Sequence, residues 1–265
     1  MSFTLYNYVL SGNCYKIRLM ASLLNASYDT VAVDFHPGQE HKTESLLQHN
    51  PAGTLPVLTT ADGTIFTETQ AMLIWLAQQY DADNSWWPCN NREQTAHTMQ
   101  WLGFASRLTA TVGELRLHSM LNKPIDVAQV KAGCFLALRE LENHLSEQRI
   151  RGRQWLTGNH ATIADIACFA YTALSPDAGI EHDDYPAIRS WLYAIRCLQG
   201  FITMPGIYEL HGLRNPRGVE VEGVETEGVE AEGVEAEGAE TEGVKAEGDD
   251  GEGNASEGKD AGAMQ

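Results

Sequence analysis

The chain is poor in cysteine, with five in 265 residues, and no two of them form a C-x-x-C pair. Cys14, Cys89, Cys134, Cys168 and Cys197 are odd in number and widely spaced. That pattern argues against a disulfide framework and against a zinc site, and a reducing, cytoplasmic setting is expected. Long apolar runs are missing too. No stretch approaches the roughly 18 residues of a bilayer span, so no membrane role is expected. The N-terminal ten residues, MSFTLYNYVL, lack the charged start and extended apolar core of a secretory leader. Positive charge is scarce: 18 Lys and Arg against 36 Asp and Glu give a formal charge of −18. Without a basic stripe the chain is not expected to bind nucleic acid. No helix shows a Lys/Arg-rich polar face for a lipid surface. The histidines show no H-E-x-x-H or other ligand spacing, so no metal is expected. His182, in Glu181-His182-Asp183-Asp184, is expected in a solvated loop.

The acidity belongs mostly to one segment. Residues 218–265 hold 16 acidic and 2 basic side chains, whereas residues 1–217 hold 20 acidic and 16 basic. From Gly218 the chain repeats a five-residue unit, Gly218-Val219-Glu220-Val221-Glu222 and then Gly223-Val224-Glu225-Thr226-Glu227, to about Gly248. A period of five matches neither helix nor strand. Each unit offers one or two small apolar residues against two carboxylates, too little to offset ordering entropy. Residues 218–265 are therefore expected to be a disordered, solvating tail.

Ahead of the tail, residues 1–81 alternate short strands and helices. Phe3–Tyr8 and Tyr28–Val33 read as strands, and Cys14–Leu24 as a helix with Ile17, Met20, Ala21 and Leu24 on one face. Lys42–His49 reads as a short helix ending before Asn50-Pro51-Ala52-Gly53. Leu55–Thr59 and Thr64–Thr67 flank the turn Ala61-Asp62-Gly63, a hairpin signal. Gln70–Tyr80 is a helix. The order βαβαββα implies a mixed sheet covered by helices. Asp81–Asn91 is a linker, and residues 91–212 are expected to form an all-helical domain. Val127, Val130, Cys134, Leu138, Leu141 and Leu145 keep helical spacing behind the cap Asp126. Thr162-Ile163-Ala164-Asp165 has the form of a capping box, which assigns Asp165 to structure rather than catalysis.

Four motifs in order resemble the soluble glutathione transferases. Ser11-Gly12-Asn13-Cys14-Tyr15-Lys16-Ile17-Arg18 resembles the loop and first helix of the serine-type, bacterial-like classes. Glu40-His41-Lys42 matches a glutathione-binding segment. Asn50-Pro51-Ala52-Gly53-Thr54-Leu55-Pro56-Val57-Leu58 matches N-P-x-G-x-[IVL]-P-x-L. Thr67-Glu68-Thr69-Gln70-Ala71-Met72-Leu73-Ile74-Trp75-Leu76 matches E-S-x-A-I-x-x-Y-L, with Thr69 for serine and Trp75 for tyrosine. The likeness covers residues 3 to about 200. It implies an α/β thioredoxin-like N-terminal domain that binds glutathione, an all-α C-terminal domain, and a homodimer.

The resemblance also implies roles. Pro56 would be cis, with Leu55 pairing its backbone to the glutathione cysteine like an added strand. Glu68 would meet the γ-glutamyl ammonium, and Thr69, at a helix N-terminus, its α-carboxylate. His41 and Lys42 would meet the glycine carboxylate, with His36 and Gln39 as weaker candidates in the same loop. Ser11 would activate the thiol. A hydroxyl donating to a thiolate contributes ~1.5–3 kcal/mol, and a helix N-terminus ~0.3–1 kcal/mol. At about 1.36 kcal/mol per unit, about 2–3 kcal/mol of such stabilisation lowers a thiol pKa by roughly 1.5–2 units, from near 8.5 to about neutrality. Ser11 can equally serve as the helix cap, Asn13 can replace or assist it, and Cys14 or Tyr8 can take the role in other classes. Tyr6 is expected to pack on the sheet. Trp101, Phe104, Arg107, Leu108 and Arg116 are candidate linings of a pocket for a small electrophile, although apolar helix residues more often belong to the core.

The expected function is glutathione transfer to such an electrophile, with glutathione as co-substrate. Thiol–disulfide or peroxide chemistry through Cys14, and cis–trans isomerisation, are alternative enzyme activities. A non-catalytic interaction module is the alternative from outside enzymology.

Overall fold

The computed structural model describes residues 2–207. The expected disordered tail, residues 218–265, lies outside the described residues.

The sheet is built around β1 (Phe3–Asn7), which lies between β2 (Asp29–Ala32) and β3 (Val57–Thr60), with β4 (Ile65–Phe66) beyond β3. β1 runs parallel to β2 with Leu5 opposite Thr30, and antiparallel to β3 with Leu5 opposite Leu58. β3 runs antiparallel to β4. Phe3 and Leu5 are buried on one face, as period-two alternation dictates. β2, by contrast, has all four of its residues exposed. It is an edge strand whose side chains neither helical layer covers.

This register sets the site. β1 ends where α1 (Gly12–Leu23) begins, and Val57 lies opposite Tyr6, so Leu55-Pro56 falls beside the end of β1. β4 is parallel to β1 because both oppose β3, so α3 (Thr69–Tyr80) starts at that same edge. The segment expected as one helix over Lys42–His49 is a 3-10 turn, Glu40–Lys42, followed by α2 (Glu44–His49). The two are separated by Thr43, whose backbone is extended at φ −69°, ψ 152°.

The second half is helical: α4 (Arg92–Leu108), α5 (Glu114–Leu121), α6 (Val127–Ile150), α7 (Ile163–Ala173) and α8 (Pro186–Arg196). A π-helical turn, Thr109–Gly113, joins α4 to α5. The main core runs continuously from Phe3 and Leu5 through α1 and α3 into α4, α6, α7 and α8. The two halves thus share one apolar interior. A smaller cluster of Cys14, Val33, Leu46, Leu55 and Val57 fills the other side of the sheet. Trp101, Phe104 and Leu108 belong to the main core, the commoner fate of apolar helix residues.

Asp165 is fully buried and acts as the expected cap. Its Oδ2 accepts from Thr162 N–H at 2.8 Å and from the Thr162 hydroxyl at 3.1 Å. Its Oδ1 accepts from Leu156 N–H at 3.0 Å and Trp191 Nε1–H at 2.9 Å. One carboxylate therefore ties α7 to the loop before it and to α8. His182 differs from expectation: it is buried, not solvated, and its Nε2 lies 2.8 Å from both Ser175 Oγ and the Thr172 carbonyl. Burial pushes its pKa down, so it stays neutral where the sequence placed a charged loop.

Asp165→Ala strands several buried donors at once. Urea unfolding of this variant is expected to show a loss of about 3–5 kcal/mol. A loss below about 1 kcal/mol would mean that water replaces the carboxylate at no cost.

Candidate active site

A cleft of about 340 Å³ opens where the β1–α1 loop faces α5 and α7. Its wall includes Tyr8, Ser11, Asn13, His41, Leu55, Arg116 and Tyr171. Ser11, His41 and Leu55 are thus brought together on one cleft. Lys42, Pro56, Glu68 and Thr69 do not line this cleft. Pro56 is buried behind Leu55, and Lys42 is exposed with its ammonium donating to Gln39 Oε1 at 3.2 Å. Glu68 is the exposed N-cap position of α3, and Thr69 is the buried first residue of that helix. The Leu55-Pro56 peptide bond is cis.

Ser11 caps α1: its oxygen accepts from Cys14 N–H at 3.2 Å. Asn13 does not cap the helix. Its Oδ1 instead accepts from the Lys16 ammonium at 3.0 Å. Capping occupies a lone pair of Ser11 and leaves the hydroxyl proton to be donated. α1 carries no acidic residue in its first turn, so nothing there opposes an incoming anion.

The loop is held from several sides. Arg18 donates to Asn7 Oδ1 at 2.8 Å and to the Val9 carbonyl at 2.9 Å. Arg116 donates from Nη1 to the Leu10 carbonyl at 2.5 Å and from Nε to Asp177 at 3.0 Å. Arg116 is buried and reaches the cleft, whereas Arg107 pairs with Glu140 on the surface through two bonds of 2.7 and 2.8 Å.

His41 is buried, with its ring stacked on Phe35 at 4.0 Å. Its Nδ1 has no hydrogen-bond partner. Burial first, and then the Lys42 charge, hold it below the usual histidine range, so it is neutral at pH 7. Such an orphaned polar atom in a cleft fits a ligand group.

Cys14 is fully buried, and its sulfur accepts from Tyr8 N–H at 3.4 Å. Burial pushes its thiol above the usual range, against smaller opposing effects of Ser11 and the Tyr8 N–H. That is the reverse of what a thiol-exchange nucleophile needs. Tyr8 lines the cleft and packs on Phe35 at 5.5 Å, while Tyr6 packs against His49 instead.

Two site residues escaped the sequence reading. Tyr171 forms part of the floor, and a Cβ on Gly12 or Gly113 would approach its ring to 2.9 and 3.1 Å. Lys16 lies buried beneath Asn13. Tyr171 sits in an uninterrupted apolar helix and looks like core. Lys16 did carry a signal, as a charge on the inward face of α1 between Tyr15 and Ile17.

Residues 10–79 match the family model "Glutathione S-transferase, N-terminal domain". Glutathione S-transferase theta-2 of Mus musculus is 30% identical over 175 residues, covering 63% of this chain and 68% of that protein. Glutathione S-transferase theta-1 of Bos taurus is 25% identical over 219 residues, covering 79% of this chain and 89% of that one. Among solved structures, a possible glutathione S-transferase from Rhodopseudomonas palustris superposes with a TM-score of 0.67. It is 32% identical, and the match covers 76% of this chain and 97% of that one.

Only Cys89 and Cys197 of the five thiols are exposed. A chromogenic disulfide reagent is expected to label about two thiols rapidly in the native protein and all five after denaturation. Rapid native labelling of Cys14, located by peptide mapping, would restore the thiol-exchange reading.

Proposed function

Because the chain belongs to the glutathione S-transferase family, and is a glutathione transferase with a thioredoxin-like first half, we propose that Ser11 holds the glutathione sulfur as thiolate for attack on a small electrophile. The carrying observation is the pairing in one cleft of a helix-capping hydroxyl with a buried, unpartnered His41 Nδ1. The first can donate to sulfur. The second, in the tautomer that carries its proton on Nδ1, donates to the glycine carboxylate of the tripeptide.

Between them, the Leu55 backbone offers an unpaired strand edge to the cysteinyl residue. Glu68 and Thr69, at the same sheet edge, take the γ-glutamyl end, and Lys42 supports His41 at the other. The sulfur forms a bond to the electrophilic carbon, and the leaving group departs with the bonding electron pair. Isomerisation would use the same thiolate without a leaving group. No general base is needed, because the helix end and hydroxyl favour the anion directly.

Ser11→Ala is expected to raise the pKa of bound glutathione by roughly 1–2 units, read by ultraviolet titration of the thiolate. Cys14→Ser should leave it unchanged. A wild-type titration for Ser11→Ala together with an upward shift for Tyr8→Phe would make the protein tyrosine-type.

The proposal extends to a cytoplasmic homodimer. The unpaired thiols support the compartment. Exposed Met99 on α4 and Phe135 and Leu136 on α6 supply apolar surface for a second copy. Sedimentation at micromolar concentration should give a dimer, and a monomer alone would reject this arrangement.

A further inference from the structure

Lys16, on the second turn of α1, is 1% exposed. Its ammonium donates to Asn13 Oδ1 at 3.0 Å and to Thr109 Oγ1 at 3.4 Å, and sits 4.8 Å from the centre of the Tyr171 ring. Asn13, Thr109 and Tyr171 all line the cleft, so the charge lies directly behind its floor.

The cations of the cleft wall are compensated. Arg116 pairs with Asp177 and Lys123 with Glu114. Among the described residues, Lys16 makes no ion pair with a carboxylate. From α7 it faces Tyr171 and Cys168, whose hydroxyl and thiol are pushed well above neutral by burial and so supply no negative charge. Asp165, further toward the start of α7, is taken up by its own four donors. Burial pushes the Lys16 ammonium down to about 8, which still leaves it mostly protonated at neutral pH. A buried charge with no counter-ion is costly, and a methionine of similar length would fill the space without that cost.

The bonding pattern says where the compensation comes from. An ammonium only donates, so the Asn13 amide must turn its oxygen to Lys16 and its Nδ2 hydrogens away. That NH2 group has no hydrogen-bond partner among the described residues and is not sealed from solvent. Asn13 lies two residues from Ser11 on the cleft wall.

We propose that Lys16 is a positioning residue for the glutathione sulfur: it locks and polarises Asn13 as a second donor beside Ser11, and the bound thiolate is the counter-ion its ammonium lacks. The inference rests on the glutathione reading above. Lys16 itself touches no substrate.

The test uses the full chain, glutathione, and S-methylglutathione, which has no ionisable thiol. Lys16→Met removes a buried charge and should fold. It is expected to raise the pKa of bound glutathione by about one unit or more, a fall of about tenfold or more in the thiolate-to-thiol ratio. Asn13→Ala should shift it in the same direction, and the double variant should add little, since the two act as one unit. Affinity for S-methylglutathione should stay within about twofold in every variant, because the peptide contacts are untouched. A wild-type thiol pKa in Lys16→Met overturns the inference, and so does an equal loss of affinity for both compounds, which marks a merely structural role. Should Lys16→Met not fold, an unshifted pKa in Asn13→Ala overturns it alone. A wild-type protein that binds neither compound defeats the functional reading and this inference together. Binding of both with no response to Lys16 defeats the inference only.

Discussion

The hydrogen bond from Arg116 to the Leu10 carbonyl is the contact on which the site depends. Leu10 precedes the helix cap, and Arg116 belongs to the helical half, so this bond fixes Ser11 relative to the opposite wall. The guanidinium is buried and is balanced by Asp177. A buried pair of this kind contributes little net stability, because desolvating both charges offsets most of their attraction. What it supplies is geometry. A loop free to move by an ångström would displace the hydroxyl proposed to meet the sulfur, and such displacements cost catalysis far more than they cost folding.

The same need for close approach explains the glycines around Tyr171. Gly12 starts α1 and Gly113 ends the π-helical turn, and both press on the same ring. A π turn inserts an extra residue into a helix and re-aims the side chains beyond it. Here it separates Thr109, which bonds to the Lys16 ammonium, from Arg116, which bonds to the loop. One irregular turn thus serves both the floor and the wall of the cleft.

Much of this was legible in the sequence because it rests on local chemistry. Asp165 as a cap and the hairpin around Gly63 derive from short motifs whose geometry the backbone dictates, whereas the choice of Ser11, His41 and Leu55, which share one cleft, came from the resemblance to the glutathione transferases. The features that escaped depend on tertiary neighbours. His182 sits among charges in sequence, yet Ser175 and a main-chain carbonyl from the end of α7 draw it inside. The roles of Arg107 and Arg116 were interchangeable by spacing, and only the partners Glu140 and Asp177 separate surface from site. Asn13 stood in the sequence only as a possible partner of Ser11, and its bond to the buried Lys16 appears only once α1 packs against the helical half.

These partners also settle the electrostatics of the site. Residues 1–217 carry a net charge of −4, and a tail of −14 comes after them, so the field far from the protein repels an anionic tripeptide. Attraction must therefore be short-range. Exposed charges are screened within about 10 Å at ordinary ionic strength, while groups behind a low-dielectric floor are screened much less. Arg116 and Lys123 are neutralised by their partners, and His41 is held neutral by burial. The attraction left to the cleft comes from the N-terminus of α1, the donors at Ser11 and Asn13, and the ammonium beneath them. These lie at the end of the cleft where a sulfur anion would sit rather than being spread over its wall. A site so arranged gains more from the thiolate than from the thiol, and that difference is the quantity an enzyme of this kind must produce.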